Sequence, residues 1–181
     1  MDQGGEDINA IISGCKHNDR RSQELLYRNF YGAMISLCLR YTKNEQDALE
    51  VLNTGFYKVF KNIQRYDEQK GALYTWIRTV ILNTCLNFIK AKNGRMAEQE
   101  LDEAARVDLP PDVFSKMSSG DILKLVRCLP PATQAVFNLY VMEGYAHKEI
   151  GVLLQISEGT SKWHLSEARK QLQNLIRQQN E

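Results

Sequence analysis

The chain has 181 residues, of which 43% are hydrophobic and 25% charged, and its formal net charge is +1. This composition is typical of a soluble globular protein and excludes a wholly disordered chain. The longest nearly apolar run, residues 33–39, is far shorter than the roughly 18 residues that cross a bilayer, and residues 1–7 are polar and acidic. We therefore expect a cytoplasmic protein without a membrane span or secretory signal.

The titratable residues match no catalytic or metal-binding motif. Four cysteines lie far apart without CxxC spacing, which predicts reduced thiols and neither a zinc site nor a disulfide framework: Cys15, Cys38, Cys85 and Cys128. The three histidines have too few Cys or His partners for zinc, and no phosphate-binding loop or nucleophile elbow is present. We expect no enzyme activity, no metal and no cofactor.

Charge is segregated along the chain. The net charge is −3 over residues 1–19, +7 over residues 20–95, −5 over residues 96–121 and +2 over residues 122–181. Two basic bodies are thus joined by an acidic segment. A basic body often binds a polyanion, although a solvated surface explains the same charge.

Helical periodicity predicts three helices in the first basic body. A helix over roughly residues 22–41 is indicated by Leu26, Phe30, Ala33, Leu37 and Tyr41. Asn44 followed by Asp47 resembles a capping signal, and the 3-1 spacing of apolar residues up to Ile63 predicts a second helix. The same spacing from Leu73 to Phe88 predicts a third. Three such helices can close a core.

The second basic body follows a segment without helical periodicity. Residues 91–120 are rich in Asp, Pro, Ser and Gly, which predicts a linker with one short helical stretch near residues 98–106. Beyond it, apolar residues predict helices on either side of Pro130 and Pro131, followed by helices over residues 147–154 and 158–176.

The last two predicted helices have the dimensions of a helix-turn-helix. Ser157 is a suitable N-cap, and polar residues including Lys162 and Arg169 follow on the second helix. A helix of this kind fits the major groove of DNA, where side chains reach base edges and cations meet phosphates. An ordinary helical hairpin would show the same pattern.

The third predicted helix has polar and aromatic residues opposite its apolar stripe: Tyr74, Thr75, Arg78, Asn83, Asn87, Lys90 and Lys92. Aromatic stacking and amide hydrogen bonds capture unstacked bases, and cations follow the backbone. This face therefore suits single-stranded or melted DNA, although an aromatic near a helix start is more often part of a core.

Three segments in this order resemble the sigma-70 family of RNA polymerase initiation factors, in the small extracytoplasmic-function (ECF) class. They are DALEVLNTGFYKVFKNI (residues 47–63), LYTWIRTVILNTCLNFIK (73–90) and LPPATQAVFNLYVMEGYAHKEIGVLLQISEGTSKWHLSEARKQL (129–172). The resemblance implies an all-α fold with sigma domain 2 over residues 1–92, a flexible acidic linker over residues 93–120 and sigma domain 4 over residues 121–181.

The resemblance also implies site residues. The clamp-helix coiled coil of the polymerase largest subunit would contact Asp47, Glu50 and Asn53. Melted minus-ten DNA would be bound by Tyr66, Tyr74, Arg78, Asn83, Asn87 and Lys90, with Asn83 and the loop of residues 66–74 holding a flipped base. The minus-thirty-five major groove would receive Ser157, Thr160, Ser161, Lys162, Trp163, Ser166, Arg169 and Lys170. Where the family commonly has an acidic pair, Gln-Glu and a turn glycine, this chain has Leu49-Glu50, Asn53-Thr54 and Gln155.

The function implied is that of a promoter-specificity subunit that recruits core polymerase and assists melting of promoter DNA. The expected partners are core polymerase, including the flap of its second-largest subunit, and double-stranded and melted promoter DNA. An anti-sigma factor is a candidate partner. The alternatives are a stand-alone helix-turn-helix regulator with a helical effector domain, and a helical adaptor that binds no DNA.

Overall fold

The computed structural model describes residues 7–93 and 119–179, and these ranges contain helices and turns only. Their contacts form two units. The first comprises residues 7–39 and 44–85, and the second comprises residues 40–43, 86–93 and 119–179. The predicted all-α fold is confirmed. Most of the predicted linker, including the short helix expected near residues 98–106, lies outside the described residues.

Four helices begin in the first unit. They are α1 (Ile8–Lys16), α2 (Arg20–Tyr41), α3 (Glu45–Asn62) and α4 (Leu73–Asn93). Short 3-10 turns at Ile63–Arg65 and Glu68–Lys70 connect α3 to α4. The predicted cap is present, since Asn44 Oδ1 accepts a hydrogen bond from the Asp47 N–H at 2.8 Å. The three predicted helices are thus confirmed, with ends shifted by a few residues.

Helix α1 was not predicted from the sequence. Asp7 caps it, accepting a hydrogen bond from the Asn9 N–H at 3.0 Å. Ile11 and Cys15 are buried on one side of the helix. Burial, reinforced by the nearby Asp19 carboxylate, raises the pKa of the Cys15 thiol to about 11. The first unit therefore has a fourth helix that contributes to its core.

The core of the first unit is formed by the apolar stripes of α2, α3 and α4. Its largest fully buried side chains include Leu26, Met34, Leu37, Leu52, Phe56, Ile63, Ile77 and Ile81. Helices α3 and α4 approach closely at Gly55, where an added Cβ would lie 2.4 Å from Ile81 Cδ1. This close packing fixes α4 on α3 and so determines which side of α4 remains exposed.

The second unit contains four further helices. They are α5 (Ser119–Cys128), α6 (Pro131–Phe137), α7 (His147–Leu154) and α8 (Glu158–Gln179), and α6 continues into a π-helical turn, Asn138–Met142. Pro131 opens α6 at a position where the missing N–H removes no helical hydrogen bond. Helix α8 packs against α5, α6 and α7. Its buried side is formed by Leu165, Ala168, Leu172 and Ile176.

The turn between α7 and α8 is the short connection that a helix-turn-helix requires. Gln155 adopts a left-handed conformation with φ of 59°. Gly151 lies against the same turn, and an added Cβ there would be 2.9 Å from the Ile156 carbonyl oxygen. Ser157 Oγ accepts a hydrogen bond from the Thr160 N–H at 2.9 Å and caps α8 as predicted.

Candidate nucleic-acid interface

The outer face of α4 carries a continuous line of polar residues. Thr75, Thr79, Asn83 and Asn87 follow one another at four-residue steps and are exposed, and half-buried Lys90 comes three residues later. Such spacing places them on one helix face. This line, hereafter the α4 polar line, offers two amides, two hydroxyls and an ammonium group. Thr79 was not among the predicted residues, because a threonine on an amphipathic helix ordinarily indicates only a solvated surface.

Tyr74 and Arg78 do not belong to this line. Five residues separate Arg78 from Asn83, which rotates the helix by about 140° between them. Tyr74 is exposed, with its ring centroid 6.3 Å from that of Phe30, and Arg78 is half-buried. The five α4 residues predicted for minus-ten DNA therefore occupy more than one face, contrary to the single face expected from the sequence.

Tyr66 lies in the connection between α3 and α4. Its hydroxyl donates a hydrogen bond to the Gly71 carbonyl at 3.2 Å, and its ring centroid is 5.5 Å from that of Trp76. Asp67 caps the following 3-10 turn by accepting a hydrogen bond from the Gln69 N–H at 3.0 Å. The predicted base-binding loop is thus held by its own hydrogen bonds and by the aromatic contact with α4.

A cation from α3 reaches α4 next to Asn83. The Lys58 ammonium donates a hydrogen bond to Thr84 Oγ1 at 3.2 Å, and that hydroxyl donates to the Val80 carbonyl at 2.8 Å. Sequence reasoning missed Lys58, because a lysine on an amphipathic helix ordinarily indicates only a solvated surface. Lys58 thus adds a half-buried positive charge at Thr84, the residue that follows Asn83 in the chain.

Helix α8 presents a cationic face. Exposed Lys162 and Lys170 share one side of the helix with half-buried Ser166 and Arg169, and half-buried Trp163 lies at the edge of this face. Lys162 is paired with Glu158 at 2.7 Å, and the side chains are 60% and 50% exposed. An exposed ion pair of this kind is weak, so a phosphate can compete for Lys162.

Two residues predicted to contact the minus-thirty-five groove are buried. Thr160 is 3% exposed, and its hydroxyl lies 2.8 Å from Ser157 Oγ. Ser161 is fully buried, with its hydroxyl 2.9 Å from His147 Nδ1. These hydroxyls bond within the protein, which makes their burial tolerable. Their prediction as groove contacts is therefore corrected: they hold the start of α8 in place.

Two histidines help to join the helices of the second unit. His147 stacks on Tyr140 with ring centroids 4.5 Å apart, and His164 Nδ1 lies 3.0 Å from Thr133 Oγ1. Burial, assisted by the Lys162 ammonium, lowers the pKa of His147. Burial also lowers the pKa of His164, with the Glu167 carboxylate opposing the change. Both rings therefore favour the neutral form.

The exposed face of α3 combines polar and apolar residues. Glu50 and Asn53 are exposed and Asp47 is half-buried at the edge, and the Tyr27 hydroxyl donates a hydrogen bond to Asn53 Oδ1 at 3.1 Å. Leu49 and Tyr57 lie on the same face and are 40% and 65% exposed. No sequence signal indicated Tyr57, because this residue lies outside the apolar core stripe of α3.

Comparison with known families identifies both units. The model described as sigma-70 region 2 matches residues 26–95, and the model described as sigma-70, region 4 matches residues 119–172. The chain belongs to the sigma-70 family. As a sigma factor it directs RNA polymerase to promoters and is not itself an enzyme.

Relatives of this sigma factor span nearly its whole length. The ECF RNA polymerase sigma-E factor of Haemophilus influenzae is 21% identical over 179 residues, which cover 92% of this chain and 94% of the relative. The RNA polymerase sigma-H factor of Pseudomonas aeruginosa is 21% identical over 189 residues, covering 96% of this chain and 97% of the relative.

A solved structure supports the fold. RpoE from Bartonella quintana, crystallised with the anti-sigma factor NepR, is 15% identical to this chain. The match covers 85% of this chain and 96% of the RpoE chain, with a TM-score of 0.50.

Within residues 7–93 and 119–179, no helix is long and apolar enough to cross a membrane. In the same ranges no group of three or more His, Cys, Asp or Glu residues is placed to hold a metal ion.

Proposed function

We propose that this sigma factor divides its promoter contacts between two helix faces. The α4 polar line and the turn at Tyr66 bind the unpaired minus-ten strand, and the cationic face of α8 binds the minus-thirty-five duplex. The observation that carries this proposal is the contrast between the faces: α4 offers amides and hydroxyls, and α8 offers cations. Amides and aromatics suit unstacked bases, and cations suit a duplex backbone.

Asn83 is proposed to hold an extruded base. It is exposed in the middle of the α4 polar line, and its side chain supplies both a donor and an acceptor. Lys58 would meet an adjacent phosphate. Asn87 and Lys90 extend the same contact along the strand, and Tyr66, Tyr74 and Arg78 act from the neighbouring side.

The groove-contacting set on α8 is proposed to be Ser157, Lys162, Trp163, Ser166, Arg169 and Lys170. Thr160 and Ser161 are left out because they are buried. Lys162 and Lys170 would contact phosphates. Arg169 has the planar, five-donor guanidinium that suits bidentate contact with a guanine edge.

Two surfaces are proposed to bind core polymerase. On α3, Asp47, Glu50 and Asn53 would meet the clamp helices of the largest subunit, with exposed Leu49 and Tyr57 adding apolar area. On the second unit, the flap of the second-largest subunit would cover an exposed apolar stretch formed by Tyr140, Val141 and Met142.

Because RNA polymerase acts on chromosomal DNA, we infer a cytoplasmic location for this sigma factor. An anti-sigma factor is a further proposed partner, because the related RpoE binds one.

The assignment of Asn83 is tested by Asn83→Ala. The variant should bind core polymerase and form closed complexes normally, because it changes no buried residue. Open complex should fall by roughly fivefold or more, since a base extruded at a cost of a few kcal/mol would lose its hydrogen bonds. Permanganate reactivity of unpaired thymines measures this at matched promoter occupancy.

The control is Asn29→Ala, which removes an exposed asparagine of α2 outside the proposed set. It should leave the permanganate signal unchanged. An Asn83→Ala signal equal to wild type would show that the α4 polar line is not the melting surface.

A further inference from the structure

Two cysteine thiols meet in the core of the first unit. Cys38 lies on α2 and Cys85 lies on α4, 47 residues apart in the chain, and their Sγ atoms are 3.9 Å apart. Both residues are fully buried, and both are thiols in this structure. The proposed promoter contacts do not use this pair, because Asn83 lies two residues before Cys85 and therefore about 200° around the helix.

The separation of the two sulfur atoms is short enough for a disulfide to form with a small movement. A disulfide has an S–S distance of about 2.05 Å, so the two sulfurs would have to approach each other by about 1.9 Å. Rotation of the two side chains supplies part of this approach, and movement of α4 relative to α2 supplies the rest. In a reducing compartment such a disulfide is transient and serves redox sensing.

We propose that Cys38 and Cys85 are an oxidative modification site, at which peroxide converts the two thiols into an intramolecular disulfide that displaces α4. The formation of this disulfide is independent of the promoter contacts proposed above. Its effect on promoter opening rests on the proposed function, because that function assigns the melting surface to α4.

The reaction consumes one molecule of hydrogen peroxide for two thiols. The thiolate of one cysteine attacks a peroxide oxygen, the O–O bond breaks and hydroxide leaves, which gives a sulfenic acid. The thiolate of the second cysteine attacks the sulfenic sulfur, the S–O bond breaks and a second hydroxide leaves. The two hydroxides take up the two thiol protons and become water. Both sulfurs are oxidised, and both peroxide oxygens are reduced.

Burial controls access of the oxidant to the pair. Both thiols are inaccessible to solvent in the packed core, so peroxide reaches them when the contact between α2 and α4 opens locally. A sulfenic acid formed on one cysteine then has the other thiol beside it, which favours the disulfide over further oxidation. Cys128 is exposed at the end of α5 and needs no such opening, so it should react faster.

The disulfide would act on α4 in the middle of the α4 polar line. Asn83 and Asn87 lie two residues on either side of Cys85. Thr84, the residue before Cys85, accepts a hydrogen bond from the Lys58 ammonium on α3 at 3.2 Å. Movement of α4 at Cys85 therefore displaces both amides and strains the bond between α3 and α4. We expect the oxidised factor to open promoters less well than the reduced factor.

The first measurement maps the disulfide in the full chain. The reduced protein is treated with hydrogen peroxide, the remaining thiols are alkylated in denaturant, and trypsin digestion follows without a reductant. The expected product links residues 29–40 to residues 79–90, two tryptic peptides that contain one cysteine each. Its mass should equal that of the two peptides less two hydrogen atoms, and dithiothreitol should separate them.

Single-cysteine variants provide the controls for this mapping. Cys38→Ala and Cys85→Ala should each abolish the linked peptide. Cys15→Ala and Cys128→Ser should retain it, because neither residue belongs to the pair. In the wild-type chain, labelling of Cys128 by dimedone, which reacts with sulfenic acids, confirms that the oxidant was active.

The second measurement tests the effect on α4. The sigma factor is oxidised alone, peroxide is removed with catalase, and holoenzyme is assembled with untreated core polymerase. The permanganate signal at matched promoter occupancy should fall by roughly fivefold or more, as expected for loss of the Asn83 contact. Dithiothreitol should restore the signal, because a disulfide is reversible and a sulfinic acid is not. Cys85→Ala should show no response to peroxide.

The outcomes separate the disulfide from its effect and from the promoter contacts. Absence of the linked peptide, with Cys128 labelled in the same sample, would overturn the modification site and identify the pair as inert core thiols. A linked peptide with an unchanged permanganate signal would overturn the effect on α4. A loss of signal that persists in Cys85→Ala would overturn it too. Because the linked peptide is measured without promoter DNA, failure of the Asn83 assignment would leave the modification site intact.

Discussion

The His164 imidazole is buried on α8, and its environment makes the stability of the second unit depend on pH. Because burial lowers its pKa, the unfolded chain binds a proton more readily than the folded chain. The free energy of unfolding should therefore be highest above about pH 7 and should fall as the pH drops below about 6.5. His147 shifts in the same direction and adds to this dependence.

The slope of the free energy of unfolding against pH should approach at most about 1.4 kcal/mol per pH unit for each histidine. Urea unfolding followed by Trp163 fluorescence, in a Trp76→Phe background, measures it between pH 7.5 and 5.5. His164→Gln should flatten the slope, and the double variant with His147→Gln should flatten it further. A slope that remains the same in the double variant would show that these rings do not control acid stability.

Burial of individual polar residues was the feature least predictable from the sequence. The sequence indicated that Ser157, Thr160 and Ser161 were polar residues at the start of a recognition helix. It could not show that Thr160 and Ser161 find hydrogen-bond partners inside the protein, because these come from Ser157 in the cap and from His147 in the preceding helix. A polar residue is buried or exposed according to such partners, which periodicity does not reveal.

The close packing of the α7–α8 turn depends on Gly151 having no side chain. In an exposed helix, alanine in place of glycine usually stabilises by about 1 kcal/mol. Gly151→Ala should instead destabilise the second unit by about 1–3 kcal/mol, because its Cβ would lie 2.9 Å from the Ile156 carbonyl, a backbone atom. Urea unfolding measures the difference.

Gly32→Ala is the matched control for this prediction. Gly32 is exposed on α2, and an added Cβ would meet nothing within 4 Å. This variant should gain roughly 0.5–1 kcal/mol. If Gly151→Ala were equally stabilising, the close contact at the turn would not be a constraint on the helix-turn-helix.

The cationic face of α8 can be tested through the salt dependence of promoter binding. Removal of one phosphate contact by Lys162→Ala should reduce the slope of log affinity against log salt by about 1, and loss of a base contact by Arg169→Ala should cost roughly 1–3 kcal/mol. Holoenzyme binding to promoter duplex across a salt series measures both the slope and the change in affinity.

Lys124 supplies the control, because it is also an exposed lysine paired within its own helix, with Asp121 at 3.1 Å. Lys124→Ala should leave the slope and the affinity unchanged. If Lys162→Ala and Arg169→Ala both behaved like this control, the groove assignment of α8 would be wrong.

Long periodic elements were predictable, and short ones were not. The stripes of α2, α3 and α4 repeat over many turns, so their helices and much of their core could be read from the sequence. Helix α1 has only nine residues, although Ile8, Ile11, Ile12 and Cys15 follow a 3-1-3 spacing that could have indicated it. The predicted single polar face of α4 was wrong, because the five-residue step from Arg78 to Asn83 turns the helix by about 140°.

The order of basic and acidic segments along the chain was more informative about its partners than the composition of the whole chain. The net charge of +1 gives no indication of a nucleic-acid partner, whereas the alternation of basic and acidic segments does. The two family matches leave residues 96–118 between them, within the predicted linker of residues 93–120. The base preferences remained unpredictable, because they depend on a few exposed side chains of α4 and α8.

Transcription with purified core polymerase tests whether this chain directs the polymerase to promoters. Genomic fragments are transcribed with and without the chain, and RNA 5′ ends are mapped. The chain should create new, discrete 5′ ends whose upstream DNA shares two sequence blocks, one near minus ten and one near minus thirty-five. An unchanged pattern of 5′ ends, with core that is active with another sigma factor, would contradict promoter recognition by this chain.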